Sequence, residues 1–495
     1  MVNNYRSIID GYFREHSFVE SNIKSFNNFM EKGMQRIVNE TSEIIPTIIP
    51  QEVENFKIKL GKIYSEKPQI TEADGSKIDV YPMEARLRSL TYASPVYLEV
   101  SALIDDIQRE SFTTEIGRIP IMLKSKYCHL ANLRREELIE VGEDSDDFGG
   151  YFIINGNERV LIIVEDLTSN RLFVTRNATG PSKYTGKLFS ERGSFRIPHT
   201  IEQMKDGIIY LSFTRFKRVP IIAVIKALGF TRDKEITDYI TTETKQYDDI
   251  FINLVDAVEL KSEEDALDFL ARKVGLAQQE DKFEKTREQL DKYLLPHLGI
   301  TSKERIIKAY NLCKMVRKFL IVSKEGLSID KDHYMNKRLK LSGDLLAELF
   351  RVNLRALVQD MLFNFQRLVK RGKFQSIKII IREKLLTSRI KSAMATGVWV
   401  GGRKGVSQNI DRTNNLATIS NLQRVVSLLT SSQENFEARA LHSTHFGRLC
   451  PIETPEGTPI GLRKNLAILC SITQEEYSEE KLKKMLEGYG LKPMV

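Results

Sequence analysis

Apolar residues recur along this chain of 495 residues with helical spacing in some stretches and with the spacing of strands in others. Ile8 to Met30 has a helical pattern, whereas Ile116 to Leu123 has the composition of an extended segment. Two apolar runs between Tyr151 and Val164 flank Asn155-Gly156, a dipeptide that favours the two-residue turn of a β-hairpin. The first third of the chain is therefore predicted to mix helices with short strands.

The middle of the chain has strands and helices of its own. Short strands are predicted within three stretches, and the pattern then becomes mostly helical from Pro220 to about Gly326. One helix should begin after Ser262 as N-cap and end at Gly275. We expect an inserted domain from about residue 167 to residue 330. The strand candidates are Leu172–Val174, Ser194–Ile197 and Ile208–Phe213.

A long amphipathic helix is predicted after residue 340, ending at Gly372. Its apolar stripe is more typical of a core face than of a groove for a partner. A second, charged helix is predicted from Tyr477 to Gly488. The stripe consists of Leu346, Leu349, Phe350, Leu354, Leu357, Val358, Met361, Leu362 and Phe365.

Composition places the chain among globular proteins that do not span a membrane. Apolar residues make up 41% of it, and no apolar run approaches the ~18 residues of a membrane helix. The N-terminus shows no signal-peptide pattern, and the four cysteines lie far apart without a Cys-x-x-Cys pair. We therefore expect an intracellular, cytoplasmic protein without disulfides.

Positive charge is concentrated in one region. The net charge of +8 permits nucleic-acid binding without requiring it, but Arg371 to Lys404 contains nine Lys or Arg residues and one acid, Glu383. This stretch fits a surface that follows phosphates, or a solvated basic face. For Lys373 and Lys378 both interpretations stay open.

The segment from Ala440 to Asn465 combines three prolines, three glycines, two histidines and two glutamates without a helical or strand period. Prolines fix φ and glycines allow strained dihedral angles, so a loop with one defined path is predicted. Its interspersed apolar side chains should be buried, which a disordered tail would not require. They are Phe446, Leu449, Ile452, Ile460 and Leu462.

Two short motifs could indicate an enzyme class, a zinc hydrolase or an ATPase. His442-x-x-His445, with Cys450, Glu453 or Glu456 as a further ligand, has a spacing that zinc sites use, but the surrounding prolines exclude the long helix of His-Glu-x-x-His enzymes. Gly401 to Gly405 lacks the spacing of a nucleotide-binding P-loop. Neither a zinc hydrolase nor an ATPase is favoured.

Several motifs resemble the second-largest, beta-type subunit of multisubunit DNA-directed RNA polymerase, in an archaeal or eukaryotic form. His442 to Leu462 is similar to H-x-T-H-[FYW]-G-R-[LV]-C-P-x-E-T-P-E-G-x-x-x-G-L over nearly its whole length. Four further segments match the same subunit in the same order. They are Arg118–His129, Gly149–Arg159, Lys331–Arg338, and Gly405–Asn415 with Ser420–Arg424.

The resemblance implies an α+β, multidomain architecture. A discontinuous protrusion domain would carry an inserted lobe domain and be followed by a loop-rich fork domain. The implied boundaries are 1–166 for the first part of the protrusion, 167–330 for the lobe, 331–397 for the second part of the protrusion with the long amphipathic helix, 398–472 for the fork, and 473–495 for a C-terminal tail at the start of the next, external region.

A complete subunit of this family is more than twice as long. It continues through an acidic pair, basic residues that grip the hybrid and a zinc-bearing clamp segment, none of which occurs here. The chain resembles B″, the N-terminal half in archaea that encode the subunit as two polypeptides, B″ and B′. A fragment of a longer chain is the alternative.

The resemblance also implies roles for individual residues. Arg439 would lie near the incoming nucleotide, and Glu456 near the mobile trigger element of the largest subunit; an N-cap or a loop-bracing role is the alternative for Glu456. No Asp-x-Asp-x-Asp run occurs here, so the Mg²⁺ ions would be held mainly by the largest subunit, and this chain alone would bind no metal or cofactor and be inactive. Contacts in the fork loop or to nucleic acid are implied for Gln408, Asp411, Arg412, Asn421, Arg424, Arg403 and Lys404.

The implied partners are those of a polymerase subunit. They are B′, the halves of the largest subunit, the other polymerase subunits, the DNA template, the RNA–DNA hybrid, and transcription factors on the protrusion and lobe, all without a membrane and associated with the nucleoid. A stand-alone basic nucleic-acid-binding protein is the alternative function. That class commonly shows stacking aromatics, a recognition helix or zinc fingers, which this sequence lacks.

We expect rifamycin to inhibit the assembled enzyme weakly or not at all. In bacterial relatives this segment helps to form a rifamycin pocket, and Asn421 and Val426 stand where His and Ser are common, although Gln408 and Asp411 are kept. Primed RNA extension with increasing rifamycin, beside a bacterial polymerase as the sensitive control, measures this. Submicromolar inhibition would contradict it.

Overall fold

The computed structural model describes most of the chain. The described residues are 2–49, 53, 55–72, 74–105, 107–177, 180–193, 195–241, 247–276, 281–326, 329–372, 376–429, 435–473 and 479–491. Lys373, Ser194 and Tyr477, which the sequence analysis singled out, lie outside these ranges.

The chain forms two compact units, and one is inserted into the other. The first combines Met1–Asp166 with Leu339–Val495, and the second is the continuous stretch Leu167–Arg338. Both units combine helices with β-sheet, which confirms the α+β, multidomain class. The finer division into protrusion, lobe and fork stays a prediction.

Sixteen α-helices are assigned within the described residues. They are α1 Val2–Glu15, α2 Glu20–Asn28, α3 Met34–Asn39, α4 Pro82–Leu87, α5 Arg135–Glu140, α6 Ile221–Ala227, α7 Asp233–Ile240, α8 Tyr247–Asp256, α9 Glu263–Val274, α10 Lys282–Tyr293, α11 Arg305–Glu325, α12 Ser342–Lys370, α13 Glu383–Thr396, α14 Asn415–Leu422, α15 Phe436–Arg439 and α16 Glu479–Gly488.

Eighteen strands are assigned in the same ranges. They are β1 Glu43–Ile44, β2 Phe56–Ser65, β3 Gln69–Thr71, β4 Lys77–Asp79, β5 Ala93–Ile104, β6 Ile107–Pro120, β7 Phe152–Ile154, β8 Asn157–Leu161, β9 Ile163–Leu167, β10 Leu172–Arg176, β11 Tyr184–Arg192, β12 Phe195–Gln203, β13 Ile209–Phe213, β14 Phe216–Pro220, β15 Lys337–Lys340, β16 Ser407–Asn409, β17 Arg424–Ser427 and β18 Arg463–Asn465.

The first unit is built on an antiparallel sheet with the strand order β1-β2-β5-β6. The long helix α12 packs against α2 and α13, and α13 packs against β6. Phe26, Phe56, Phe350 and Phe365 belong to the buried core between these elements. The predicted apolar stripe of α12 therefore faces the core, as expected, except that Leu362 is only partly buried.

The second unit is an antiparallel meander in which β10 to β14 pair in sequence order, followed by the helices α6 to α11. Helix α9 begins where the sequence predicts, because the Ser262 side chain accepts a hydrogen bond from the Asp265 amide. It ends at Gly275, whose φ of 83° lies in the left-handed region. The local chemistry of both ends was sufficient to place this helix.

The hairpin predicted at Asn155-Gly156 is confirmed. β7 and β8 pair with Ile154 opposite Asn157, and both turn residues have positive φ, 51° for Asn155 and 77° for Gly156. Two positive φ values in sequence are the requirement of the turn that matches strand twist. A side chain at Gly156 would also lie within 2.9 Å of the Ser89 backbone, so the turn packs closely on its surroundings.

The prediction of one helix from Ile8 to Met30 is wrong. The helix is interrupted between Glu15 and Glu20, and Val19 has non-helical angles there. Val19 is buried and packs against Gly150, so near that an added Cβ on Gly150 would lie 2.9 Å from it. This contact joins residues far apart in sequence, so the helical spacing contained no sign of it.

No helix within the described ranges is long and apolar enough to cross a membrane.

Acid should weaken the second unit through His199, which is buried in β12. Its Nδ1 donates to the Ile197 carbonyl and its Nε2 accepts from the Leu295 amide, which requires the neutral ring. Burial lowers the pKa of His199 to about 4, below the ordinary 6.5. Between these values only the unfolded chain takes up the proton, so stability is present above pH 6.5 and falls by roughly 3 kcal/mol as the pH drops to about 4.

Urea-dependent pulse proteolysis with mass spectrometry measures this for residues 167–338 separately. His199→Gln should flatten the pH dependence of this unit even if it lowers stability throughout. His16→Gln, which changes a half-buried histidine of the other unit, is the control. An equal pH dependence in the His199 variant and in the parent protein would contradict the prediction.

Candidate nucleic-acid interface

The segment of residues 405–427 is attached to the β7–β8 hairpin by backbone pairing. β16 runs antiparallel to β8 with Gln408 opposite Val160, and the Ile410 amide donates to the Glu158 carbonyl at 3.1 Å. β17 pairs in parallel with β9 and antiparallel with β18. Strands from two distant parts of the sequence therefore carry the candidate residues.

Local side-chain bonds shape the turn after β16. The Asp411 carboxylate accepts from the Thr413 hydroxyl at 2.7 Å and from its amide at 3.0 Å, and these bonds lower the pKa of Asp411. Asn414 accepts from the Ala417 amide at 2.7 Å and caps α14. Both side chains are therefore occupied within the turn that they form.

Arg412 joins this turn to the hairpin. Its Nε donates to Glu158 and its Nη2 donates to Asp147, each at 2.8 Å. Its guanidinium carbon lies 5.0 Å from the centre of the Tyr151 ring. Burial disfavours the charge, but the hydrogen bond to Glu158 and the neighbouring anions raise the pKa of Arg412.

Arg86 binds Glu158 and Tyr151 as well, and it adds a third carboxylate, Glu143. It donates to the second Glu158 oxygen at 2.9 Å, to Glu143 at 2.8 Å and to the Tyr151 hydroxyl at 2.8 Å. Burial raises the pKa of Glu143, although Arg86 opposes this rise. We refer to these six residues as the Arg412 cluster: Arg86, Glu143, Asp147, Tyr151, Glu158 and Arg412.

A cleft of about 630 Å³ lies beside the same strands. It is bounded by the turn 401–405, the end of β17 and the loop before β18. Its described lining includes Arg403, Lys404 and Arg463 with apolar side chains such as Val164 and Val426, and it includes no Asp or Glu. The cleft therefore combines an apolar floor with a positive rim.

The two predicted cations of this cleft differ in their contacts. Arg403 donates to Glu348 at 2.8 Å and to the Val400 carbonyl at 3.1 Å, which holds the turn against α12. Its Nη1 is buried without a hydrogen-bond partner among the described residues. Lys404 is exposed.

The two faces of the β17–β18 pair differ in charge. Arg424 lies opposite Asn465 and Arg463 opposite Val426, so both arginines share one face. Burial and the nearby Arg463 lower the pKa of Arg424, as expected for two cations that repel each other. The other face carries Lys464, which is buried against Glu165 in β9.

The loop 454–461 is closed on itself by side-chain bonds to the backbone. Arg439 Nη1 donates to the carbonyls of Thr458 at 2.7 Å and Ile460 at 2.9 Å. The Thr454 hydroxyl donates to the Arg463 carbonyl and accepts from the Gly461 amide at 2.9 Å. This confirms one defined backbone path, and Glu456 lies exposed in the middle of it.

The expected burial of the loop's apolar side chains is only partly confirmed. Leu449 and Leu462 are buried and anchor the segment. Phe446 is 85% exposed and Ile452 is 86% exposed, and Ile460 also faces solvent. The prediction was wrong for these three because the bends at proline and glycine direct them away from the core.

Comparison with known proteins identifies the family. The model described as RNA polymerase beta subunit matches residues 17–388, and the model described as RNA polymerase Rpb2, domain 3 matches residues 408–472. The chain belongs to the RNA polymerase beta-subunit family. The resemblance of the sequence motifs to this family is thereby confirmed.

Individual relatives agree with the family models. The chain is 43% identical to the DNA-directed RNA polymerase subunit Rpo2N of Methanocaldococcus jannaschii, covering 98% of this chain and 99% of that one. It is 40% identical to Rpo2N of Methanococcus vannielii with the same coverage. It is also 40% identical to subunit Rpo2 of Saccharolobus solfataricus, of which it covers 43%. These matches confirm the predicted likeness to the split archaeal subunit and the role of a polymerase subunit, and they do not favour a stand-alone nucleic-acid-binding protein.

Within this family member, the predicted site residues fall into three groups. Asn421 is buried, with 2% of its surface exposed, and therefore does not face a surface that a nucleic acid would touch. Gln408 donates to the Gly405 carbonyl at 2.9 Å, and Arg412 and Arg403 are paired with carboxylates. The third group consists of Lys404 and Glu456, which are exposed, and of Arg424 and Arg439, which are half-buried.

Neither histidine of the loop has a metal-ligand set. His442 bonds to Thr444, and no group of three His, Cys, Asp or Glu residues is close enough to hold a metal within the described part of the chain. The zinc interpretation therefore finds no ligands there. Glu456 forms no hydrogen bond or ion pair with another described residue, so the bracing alternative for it also lacks support.

Sequence reasoning missed some residues of the site. Arg463 lies within the motif but was not distinguished from its neighbours, and Glu158 belongs to a motif that was treated only as a hairpin. Glu143 and Asp147 belong to an acidic stretch of the sequence, Glu143 to Asp147, to which no role was assigned. An excess of acids next to a predicted hairpin was the sign that could have indicated an arginine-binding cluster.

Gly461→Ala should open the loop far more than Gly457→Ala. Both glycines have positive φ, 70° and 81°. A Cβ on Gly461 would overlap the Arg439 backbone, including its carbonyl oxygen, whereas Gly457 has open space around it. The control should cost only the roughly 1–2 kcal/mol of a left-handed alanine, and Gly461→Ala should cost clearly more. Hydrogen exchange of the amides of residues 454–463 measures both, and equal loss of protection would contradict the prediction.

Proposed function

We propose that this chain forms the fork side of the active centre and part of the DNA cleft in a multisubunit DNA-dependent RNA polymerase. It helps to place template and RNA for synthesis from nucleoside triphosphates and does not catalyse the reaction alone. The observation that carries the proposal is the closed loop 454–461, whose backbone is held by Arg439 and Thr454 while Glu456 points to solvent. A rigid loop with a free acidic side chain suits contact with a moving element of another subunit.

The positive rim of the cleft supports a nucleic-acid role. Lys404 and Arg463 line the cleft, whose described lining has no acid, and Arg424 lies on the same face of the β17–β18 pair as Arg463. Phosphates would relieve the repulsion between the two arginines and release counterions. We assign phosphate contacts to these three residues before Arg403, whose Nε and Nη2 already serve Val400 and Glu348.

Arg439 has a positioning role in this proposal. Its Nη1 is engaged by two carbonyls of the loop, so the cation is fixed next to the backbone that presents Glu456. We propose that this places its charge near the incoming nucleotide, where a cation offsets triphosphate charge.

The described residues do not fit the magnesium ions of the reaction. Such ions steady the attacking and leaving oxygens and need clustered carboxylates, and no such cluster occurs in the described ranges. We assign the ions mainly to the largest subunit. Residues of this chain would bind and orient the nucleic acid.

The exposed apolar side chains of the loop support assembly with other chains. Phe446 and Ile452 lie almost fully in solvent, and a partner chain packed on them would remove this apolar surface from water. The partners would be B′, the halves of the largest subunit, the other polymerase subunits, the DNA template and the RNA–DNA hybrid. Transcription factors would bind the protrusion and lobe, and the complex would be cytoplasmic and associated with the nucleoid.

Affinity purification of the chain from its native cells, with mass spectrometry and primed RNA extension on the eluate, tests this function. We expect a stoichiometric set of large subunits, B′ among them, and Mg²⁺-dependent extension. The separately expressed chain is the control and should not extend RNA. A chain that elutes alone and inert, or that binds nucleic acid strongly without other subunits, would overturn the proposal.

A further inference from the structure

Arg412 ties the 405–427 segment to the hairpin by charge. It donates to two different carboxylates, Glu158 and Asp147, at 2.8 Å each. Its side chain is 41% exposed, so part of the guanidinium still faces solvent. An arginine in this position suits either an internal bond or a phosphate contact, and its surroundings decide between the two.

The charge of the surroundings opposes a phosphate. The Arg412 cluster holds three carboxylates against two arginines. A phosphate on the exposed part of Arg412 would lie beside Asp147 and Glu158, which repel it. The third carboxylate, Glu143, is bound by Arg86 and leaves the cluster with no positive charge to spare. This differs from the cleft, whose described lining has cations and no acid.

The bond between Arg412 and Glu158 also affects the backbone path, because Glu158 holds a second residue of the same segment. The Glu158 carbonyl accepts from the Ile410 amide, and its carboxylate accepts from Arg412. Asp411, which forms the turn, lies between these two attachments. One hairpin residue therefore holds the chain on both sides of Asp411.

We propose that Arg412 is a positioning residue that sets the path of the 405–427 segment and does not bind phosphate. The proposal rests on the proposed function, because the segment so positioned carries Gln408 and Arg424 toward the nucleic acid. It decides between the two roles that the family resemblance implies for Arg412, a contact within the fork loop and a contact to nucleic acid, in favour of the first. Loss of the Glu158 carboxylate should then affect RNA extension as much as loss of Arg412 itself.

Four variants of the assembled polymerase test this: Arg412→Gln, Arg412→Lys, Glu158→Gln and the double variant Arg412→Gln/Glu158→Gln. Extension rate and KM for the incoming nucleotide are measured per active elongation complex, which separates positioning from a lower yield of folded enzyme. Complex stability is measured against salt concentration. Each phosphate contact contributes about 0.9 to the slope of log affinity against log salt.

A positioning role gives a specific pattern. Arg412→Gln and Glu158→Gln should each change extension or KM by about 10-fold, and the double variant should be no worse than the more affected single variant, since both substitutions disrupt the same Arg412–Glu158 bond. Arg412→Lys should behave like Arg412→Gln, because a lysine cannot donate to both carboxylates in the same geometry. The salt slope should stay unchanged in all four.

A phosphate contact gives the opposite pattern. Arg412→Gln would lower the salt slope by about 0.9, Arg412→Lys would keep it, and Glu158→Gln would leave extension unaffected or strengthen nucleic-acid binding. That result would overturn the proposal. Lys404→Gln removes a cation that we propose to contact phosphate. Its effect on the salt slope shows how large the loss of one phosphate contact is in this enzyme.

Arg135→Gln is the matched control for the change of residue type. Arg135 pairs with Asp146 at 3.4 Å, and both side chains are more than 70% exposed, so its loss should leave extension unchanged. A parent protein that fails to assemble or to extend RNA would refute the proposed function. An active parent with the phosphate pattern in its variants would refute only the role of Arg412.

Discussion

The pairing of β8 with residues 407–410 is the interaction on which the candidate site depends. β8 is held on one edge by β7 through a two-residue turn and offers its other edge to β16. Its partner arrives from far along the chain, since Glu158 and Arg412 are 254 residues apart in sequence. Closing so long a loop costs little more entropy than closing a shorter one, because the cost grows only with the logarithm of length. A whole second unit can therefore be inserted between the two partners without loosening the site.

Local chemistry made part of this fold predictable. Asn155-Gly156 determines a hairpin because both residues tolerate positive φ, and Ser262 with Gly275 determines both ends of α9. The interruption near Val19 was not predictable, because its cause is a contact with Gly150 across the fold. Periodicity describes which face of an element is apolar, but it does not describe which distant residue will press against it.

The candidate site also has features that the sequence predicted and features that it did not. Its location followed from the motifs, and so did the fixed path of the loop after Ala440. The partner of each charged side chain could not be predicted, because the sequence alone does not distinguish an arginine that binds phosphate from one that binds a carboxylate. Arg412 and Lys404 look equivalent along the chain, yet one is paired twice and the other is exposed. Only the folded arrangement of Asp147 and Glu158 distinguishes them.

The buried pair of Glu165 and Lys464 has a consequence for the order in which the protein is made. The two side chains are 4% and 8% exposed and approach to 3.1 Å, although 299 residues separate them. A carboxylate in an interior is costly until its partner arrives. Synthesis proceeds at about 5–20 residues per second, so Glu165 leaves the ribosome well before Lys464 exists. The second unit can fold in this interval, since its residues are contiguous. The first unit, begun earlier, can close its β9–β17–β18 sheet only after residues 424–465 are made, when every residue of the second unit has already been synthesised.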